Sequence, residues 1–362
     1  PTAAKGREYA AIVADRALRR ARAQAADEIS NRVYEGGGTA ESILEAAERK
    51  IFALGKDRKT ELRIIKANKI IPKCIAVIRA EGLTHVYSRG TPFEKAAIRG
   101  VSTDIYPGQL VAVIGHTGSG KSTFIQHLNG LLRPDEGTVY CEGEDIFATK
   151  EATRDVRFKV GLVFQYPEYQ LFEETVYRDI AFGPKNMKLS EAEVDERVRE
   201  AARFVGIGEE LFEKSPLELS GGQKRRIAIA GVIAMRPKVL ILDEPTAGLD
   251  PRGRDVLLAQ ITQYHKARGN TVLLVSHSME DIGRTADRIL VMNHGHAAML
   301  DETKKVFARG PELEEMGLRV PQITKIMQEL VAMGLPVDAS TLTVDDALHQ
   351  LIPILKRKEE LR

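Results

Sequence analysis

The chain has 362 residues, of which 43% are hydrophobic and 29% charged, and its formal net charge at pH 7 is +2. This composition is typical of a folded soluble protein, and the length suggests two or three structural units. Its apolar runs are much shorter than the roughly 20 residues of a spanning helix, so we expect any membrane role to be peripheral. Cys74 and Cys141 have no disulfide-framework or zinc-ligand spacing, which is typical of a cytosolic chain.

The N-terminal part of the chain has a helical pattern. Residues 7–32 are rich in Ala, Arg and Glu and contain no Gly or Pro, which predicts a first helix. A run of three glycines ends it, and Thr39 is a suitable N-cap for a second helix that stops at Gly55. We therefore expect a helical hairpin over residues 1–60, followed by a basic linker over residues 61–76.

From Ile78 the pattern changes to short apolar runs separated by Gly and Pro. Five of these runs predict buried strands: Leu110–Ile114, Val160–Phe164, Val239–Leu242, Val272–Val275 and Ile289–Met292. Helical stretches such as Glu191–Val205 and Gly253–Ala267 lie between them, which predicts an α/β fold with a largely parallel sheet. Two alternating segments, Gly100–Ile105 and Thr138–Cys141, predict a smaller antiparallel sheet.

After Met299 the chain becomes helical again. Two sets of apolar residues recur at helical spacing: Ile323, Ile326, Met327, Leu330 and Val331, then Leu348, Leu351, Ile352 and Leu355. Such stripes usually face a protein's own core, so we expect both to pack within the chain. The predicted organisation is an α/β domain over residues 77–303 and a helical C-terminal extension over residues 304–362.

A phosphate-binding motif follows the strand Leu110–Ile114 and precedes the predicted helix Thr123–Leu132. It matches GxxxxGK[ST], in which glycines let backbone N–H groups surround phosphates at the positive end of a helix. In this pattern Lys121 contacts the β- and γ-phosphates of ATP and Ser122 binds Mg²⁺. A chance Gly-rich turn is the alternative, and the flanking strand and helix disfavour it. The predicted nucleotide-binding residues are Gly115, His116, Thr117, Gly118, Ser119, Gly120, Lys121, Ser122 and Thr123.

A second motif places two carboxylates, Asp243 and Glu244, at the carboxyl end of the strand Val239–Leu242. Ligands bind at that end of parallel strands. We predict that Asp243 holds Mg²⁺ and that Glu244 orients and deprotonates the attacking water. Two acids after a strand are more often a helix cap or a turn, but the phosphate loop favours the catalytic interpretation.

A third motif, Leu219-Ser-Gly-Gly-Gln223, separates one class of phosphate-loop ATPases from the others. A serine hydroxyl and two glycines at a helix start form a further anion site, while the bland alternative is a helix cap. The predicted nucleotide-contacting residues here are Ser220, Gly221, Gly222 and Gln223.

With these motifs in this order, residues 78–300 resemble an ATP-binding cassette. The resemblance implies a P-loop NTPase core with a small antiparallel β subdomain and a helical signature subdomain. It implies that Tyr87 stacks on adenine and that Gln165 takes part in catalysis, linking Mg²⁺ to a transmembrane partner. It also implies that Ala247–Asp250 crosses to the other subunit, with Asp250 at its nucleotide site, and that His277 senses the γ-phosphate.

Gly161–Thr175 and Ala181–Lys185 are similar to the energy-coupling-factor transporters, and Pro245–Asp250 resembles the second of their two ATPase subunits. This resemblance implies an ATPase that uses ATP and Mg²⁺ beside a sister ATPase subunit, as a heterodimer or else a homodimer. It implies a transmembrane coupling subunit, a substrate-binding membrane subunit and a peripheral location on the cytoplasmic face of the cell membrane. The family imports vitamins or transition-metal ions, and because a separate subunit binds the solute, this chain does not identify it.

Residues 1–60 instead resemble the helical N-terminal-to-linker region of a hexameric replicative DNA helicase without its motor. Because the first methionine is Met187, we expect a processed chain, a fragment or a non-methionine start. We interpret residues 1–76 as a fusion remnant or a misjoined gene, and expect the working protein to begin near Val77.

The alternatives to a transporter ATPase are a soluble cassette ATPase acting on DNA or ribosomes, and a helicase-associated interaction protein. One phosphate loop and no long coiled-coil insertion argue against the first, and no nucleic-acid partner is expected.

Overall fold

The structure, a computed structural model, describes residues 76–359. The described residues belong to one compact unit, Ala76–Arg362. The helical hairpin predicted over residues 1–60 and Cys74 lie outside the described residues, as does all but one residue of the linker predicted over residues 61–76.

Ten strands form two sheets in the described part of the chain. They are β1 (Ile78–Tyr87), β2 (Lys95–Ile105), β3 (Leu110–Ile114), β4 (Glu136–Cys141), β5 (Glu144–Asp145), β6 (Val160–Val163), β7 (Val239–Asp243), β8 (Thr271–Val275), β9 (Arg288–Asn293) and β10 (His296–Glu302). The smaller sheet is antiparallel in the order β2-β1-β4-β5. The segments Gly100–Ile105 and Thr138–Cys141 both lie in it, as predicted, but each pairs with β1 rather than with the other.

The larger sheet has the order β10-β9-β3-β8-β7-β6, and all its strands are parallel except β10. All residues of β3, β7 and β8 are buried because the sheet is covered on both faces. Alternate residues of β7 face opposite cores: Leu240 and Leu242 pack with the helices, and Val239 and Ile241 pack towards the smaller sheet. The predicted parallel α/β core is confirmed, and its strands end together at one edge.

Seven α-helices accompany the sheets within residues 76–302. They are α1 (Lys121–Leu128), α2 (Lys150–Lys159), α3 (Val176–Asn186), α4 (Glu191–Phe204), α5 (Gly221–Ile233), α6 (Pro251–Arg268) and α7 (Met279–Thr285). The helix predicted to run to Leu132 ends four residues earlier, at Leu128, because Gly130 adopts a left-handed turn with φ 68°. A Cβ at Gly130 would lie only 3.1 Å from the side chain of Thr153, so the turn also lets α2 pack closely.

The C-terminal extension is helical, as predicted, but its apolar stripes are not packed within the chain as predicted. Its helices are α8 (Thr303–Phe307), α9 (Gly310–Glu315), α10 (Gln322–Ala332) and α11 (Val344–Glu359). Met327 is buried, yet other stripe residues are exposed: Ile326, Val331, Leu348, Ile352 and Leu355. Their predicted intramolecular packing is wrong. α10 is held through Met327 and Thr324, whose hydroxyl donates to the Thr341 carbonyl at 2.7 Å, and α11 buries Ala347, which leaves these other apolar side chains uncovered.

None of the helices within residues 76–359 has both the length and the apolar character that crossing a membrane requires.

Candidate functional site

The phosphate-binding motif forms the loop that joins the end of β3 to the first residue of α1. Two of its glycines are required by close backbone approach. A Cβ at Gly115 would lie 2.2 Å from the carbonyl oxygen of Met292, and one at Gly120 would lie 2.5 Å from that of Ala97. Side chains at these positions would push the loop off the sheet, so the glycines allow the loop backbone to pack against Met292 and Ala97.

Lys121 is buried inside this loop. Its Nζ donates to the carbonyl oxygens of Gly115 at 2.7 Å and of His116 at 3.1 Å. Burial lowers the pKa of Lys121, while the charges of Glu244 and Asp243 oppose that shift. A desolvated ammonium group needs anionic partners, and the phosphates of a nucleotide would supply them.

The hydroxyl of Ser119 is fully buried in the same loop and has no hydrogen-bond partner. An unpartnered buried hydroxyl is costly unless a ligand or water completes it. Together with the buried ammonium of Lys121, it makes the loop a fitting cradle for phosphates.

Asp243 is the last residue of β7 and is only 5% exposed. Burial raises the pKa of this carboxyl group, and a hydrogen bond with Ser122 opposes the shift. Within residues 76–359 no cluster of three or more His, Cys, Asp or Glu side chains could hold a metal by itself. Mg²⁺ usually takes only one or two protein oxygens and adds water and phosphate oxygens, so the contacting Ser122 and Asp243 side chains fit the protein half of a MgATP site.

The carboxylate of Glu244 joins the three residues predicted to be catalytic. Its Oε1 lies 2.7 Å from Nε2 of His277, and its Oε2 accepts a hydrogen bond from Nε2 of Gln165 at 3.2 Å. His277 follows β8 and Gln165 follows β6, and these two strands flank β7, which leads to Glu244. The parallel strands therefore bring to one point side chains that lie far apart in sequence.

The backbone next to this point is strained. Tyr166, which follows Gln165, has φ 55°, and Glu244 has φ 48°. Left-handed conformations cost non-glycine residues about 1–3 kcal/mol each, and they persist only where the surroundings hold them. The two segments that meet through the Gln165–Glu244 hydrogen bond therefore each contain a backbone conformation that tertiary contacts must maintain.

Tyr87 lies at the end of β1 and is half exposed. Its hydroxyl is 3.3 Å from that of Thr123 in α1, so its ring stands beside the phosphate loop. The sequence analysis missed the two histidines nearby: His85 lies edge-on to Tyr87 at 4.6 Å and to the buried His127 at 4.9 Å. The two histidines support the ring of Tyr87 from behind, and burial lowers the pKa of His127. No local pattern marks these histidines.

The Leu219–Gln223 motif begins α5 and lies on the surface. Ser220 and Gln223 form a capping box, in which the Ser220 hydroxyl accepts from the Gln223 N–H and the Gln223 side chain accepts from the Ser220 N–H. A Cβ at Gly221 or Gly222 would meet nothing within 4 Å. These glycines are therefore not needed for packing within this chain, which leaves the helix start open to an external group. Asp250 caps α6 through its side chain alone, which accepts from the Gly253 N–H, and it is exposed.

Four exposed aromatic side chains form a surface beside Gln165. This aromatic surface consists of Tyr166, Tyr169, Phe172 and Phe182. Tyr169 is 84% exposed, and the rings of Phe172 and Phe182 pack edge to face at 4.8 Å. The rings of Tyr166 and Tyr169 also pair, with centres 6.4 Å apart, and exposed aromatic pairs of this kind suit contact with another protein.

A phosphate loop, an acidic strand end and an open signature motif on this α/β core define a cassette-type ATPase. Residues 98–247 match the family ABC transporter. Over 279 residues the chain is 52% identical to the energy-coupling factor transporter ATP-binding protein EcfA2 of Caldanaerobacter subterraneus subsp. tengcongensis, a match that covers 77% of this chain and 98% of that protein. It is also 52% identical over 280 residues to EcfA2 of Clostridium perfringens, with the same shares covered.

Solved structures agree with these relatives. The chain is 38% identical to cbiO1 from Clostridium perfringens, part of the ABC transporter complex cbiONQ, with a TM-score of 0.60 over 70% of this chain and 99% of that one. It is 27% identical to the ATP-binding cassette MJ0796, solved as a dimer in a post-hydrolysis state with ADP and Pi, with a TM-score of 0.57 over 62% of this chain and 98% of that one. The chain therefore belongs to the ABC-transporter ATPases, among the energy-coupling factor transporter ATP-binding proteins of the EcfA2 type, and it is an ATPase.

Proposed function

We propose that this chain hydrolyses MgATP to drive an energy-coupling factor importer for vitamins or transition-metal ions. The observation that carries the proposal is the carboxylate of Glu244, which lies between His277 and Gln165 next to the phosphate loop. The names of the relatives support a transporter over a soluble ATPase acting on DNA or ribosomes. The interpretation as a helicase-associated protein depends only on residues 1–60.

The residues of this chain divide the chemistry among them. The loop from Gly115 to Thr123 would hold the phosphates through its backbone N–H groups and the ammonium of Lys121. Ser122 and Asp243 would hold Mg²⁺, which supplies charge neutralisation at the β- and γ-phosphates.

Glu244 would orient the attacking water and accept its proton, because its carboxylate is already fixed by two neighbours. His277 and Gln165 would contact the γ-phosphate side of the site. Tyr87, whose half-exposed ring stands beside Thr123, would stack on adenine.

The signature residues would act on a second nucleotide. Ser220 and Gly221 are exposed, and the space beyond Gly221 and Gly222 is open. This supports a head-to-tail pair in which each subunit's signature residues complete the other's site, with Asp250 reaching across. The partner would be a sister ATPase subunit in a heterodimer, or a second copy in a homodimer.

The aromatic surface would receive a short helix of a transmembrane coupling subunit, which in turn contacts a substrate-binding membrane subunit. Amphipathic helices dock on partner proteins through their apolar face, which exposed aromatic side chains would cover. Its position beside Gln165 would join membrane docking to the nucleotide site. This arrangement places the chain peripherally on the cytoplasmic face of the cell membrane.

Membrane association tests this proposal. The full chain, co-expressed with a sister ATPase and the two membrane subunits, is expected to sediment with membranes and to hydrolyse ATP faster than the chain alone. Tyr169→Asp should release it into the supernatant, because a carboxylate would have to be desolvated in the interface. Phe93→Asp is the matched control, since Phe93 is 83% exposed in the β1–β2 connection. Binding to DNA or ribosomes without membrane association would contradict the proposal.

A further inference from the structure

One buried arginine joins the loop of the aromatic surface to the turn that begins at Glu244. Arg225 lies on α5, two residues beyond the capping box, and is only 4% exposed. Its Nε and Nη2 donate to the two carboxylate oxygens of Glu168 at 3.0 and 2.7 Å. Its Nη1 donates to the carbonyl oxygens of Pro245, at 3.3 Å, and of Ala247. A single side chain thus contacts two loops that lie far apart in sequence.

Glu168 belongs to the loop that carries the aromatic surface. It lies in the one-turn 3₁₀ helix Pro167–Gln170, which begins after the left-handed Tyr166. The guanidinium carbon of Arg225 lies 5.9 Å from the centre of the Tyr166 ring. Burial alone would raise the pKa of Glu168, but the hydrogen bond and charge of Arg225, together with a backbone hydrogen bond, lower it overall, so the pair is ionic.

The carbonyls that Arg225 binds belong to the turn that begins at Glu244. This turn is closed by a hydrogen bond from the N–H of Ala247 to the carbonyl of Glu244 at 3.1 Å. Glu244 itself is left-handed, as is Tyr166. Such conformations persist where the surroundings determine them, and Arg225 contacts the segments containing both residues.

We propose that Arg225 is a positioning residue for ATP hydrolysis. Its planar fork holds residues 165–170 and residues 244–247 at a fixed separation, so that Gln165 and Glu244 meet at the attacking water. In this role it acts through Gln165 and Glu244 and not by its own contact with the nucleotide or the water. The inference rests on the proposed function in one respect, that Glu244 is the general base.

The role suits a guanidinium group and not an ammonium group. Arginine presents five N–H donors in one rigid plane. Arg225 uses them for four hydrogen bonds, two to the Glu168 carboxylate and two to the carbonyls of the turn after Glu244. A lysine would keep the charge but could not bind a carboxylate on one side and two carbonyls on the other. Because Tyr166 and Tyr169 share the loop of Glu168, a partner that shifts this loop would also shift Glu244.

Kinetics of the full chain, co-purified with its sister ATPase subunit, test the assignment. For Arg225→Lys we expect kcat to fall about tenfold or more, since small misplacements of reacting groups have effects of this size. The KM for ATP and the Kd of a fluorescent ATP analogue should stay within about twofold, because Arg225 does not contact the nucleotide. Glu168→Gln should act in the same direction, and the double variant should be no worse than Arg225→Lys, because both changes break one connection.

Arg236→Lys is the matched control. Arg236 also binds a glutamate through two nitrogens, with Nε and Nη2 at 2.9 and 2.6 Å from Glu200, but it contacts neither loop. Its substitution should leave kcat unchanged. Thermal unfolding of each variant shows whether the protein is folded, and if Arg225→Lys fails to fold, Glu168→Gln decides, because the amide keeps the shape of the side chain.

Two results would overturn the inference. If Arg225→Lys and Glu168→Gln keep the parental kcat while Glu244→Gln does not turn over, Arg225 is only structural and the proposed function stands. If Arg236→Lys loses as much kcat as Arg225→Lys, the loss reflects general stability and the positioning role is wrong. A fully active Glu244→Gln would instead remove the proposed function and this inference with it.

Discussion

Two adjacent carboxylates, Asp243 and Glu244, receive different surroundings at the end of β7. Asp243 is buried against Ser122, and burial raises its pKa. Glu244 turns out of the strand through a left-handed backbone and contacts His277 and Gln165. Neighbouring acids with separate environments can take separate roles. Here one fits metal binding and the other proton transfer.

Glu244→Gln is expected to bind MgATP but to hydrolyse almost none of it. The amide keeps the shape but cannot accept a proton, and loss of a general base typically costs about 10²–10⁴-fold in rate. Steady-state turnover of the assembled ATPase measures this, with Glu151→Gln on the exposed side of α2 as the control. Turnover within about threefold of the parent would contradict the assignment of Glu244 as general base.

Lys121→Ala is expected to lose nucleotide binding instead of turnover alone. The buried ammonium is the one cation inside the described phosphate loop, and its loss removes the charge-assisted bonds to the β- and γ-phosphates. Isothermal titration calorimetry with MgATP measures the effect. Unchanged affinity in a folded variant would mean that Lys121 does not contact the phosphates.

The helix α5 begins at the Leu219–Gln223 motif, as predicted from the sequence, and its first residues are exposed. The capping box of Ser220 and Gln223 satisfies the first turn without any help from the rest of the chain. The helix start is thus stable on its own and free to contact a second subunit's nucleotide.

Ser220→Arg is expected to damage hydrolysis at the partner's nucleotide while this chain's own ATP binding stays unchanged. The bulky side chain would fill the open space, and the lost cap should cost about 1 kcal/mol of stability. Ser190→Arg is the control, because Ser190 forms an equivalent capping box with Glu193 at the start of α4. Both variants should lose similar thermal stability, and only Ser220→Arg should lose turnover. Parental turnover by Ser220→Arg would contradict the split-site arrangement.

The whole described unit carries every predicted site residue. Val77 is buried, and its N–H donates to the Ile105 carbonyl at 2.8 Å, so the antiparallel sheet is already tied down at its first residues. Its strands, phosphate loop and signature helix all lie within Ala76–Arg362.

Deletion of residues 1–76 is therefore expected to leave ATP binding and hydrolysis intact. The deleted segment contains no nucleotide-binding motif. Circular dichroism checks folding, calorimetry checks MgATP affinity, and turnover is compared with the full chain in the same assembly. A folded truncated protein that fails to bind ATP would contradict the interpretation of residues 1–76 as a fusion remnant.

Sequence alone determined what depends on local order: the strands, the phosphate loop, the acidic strand end and the capped signature helix. These features are short, and their residue types act on their immediate neighbours. Tertiary structure decided the rest. The contacts of Glu244 with Gln165 and His277, and those of Arg225 with Glu168 and the turn after Glu244, join residues with no common local pattern. The exposure of Ile326 and Leu348 was equally invisible in sequence, because periodicity reports that a helix has an apolar side but not whether anything covers it.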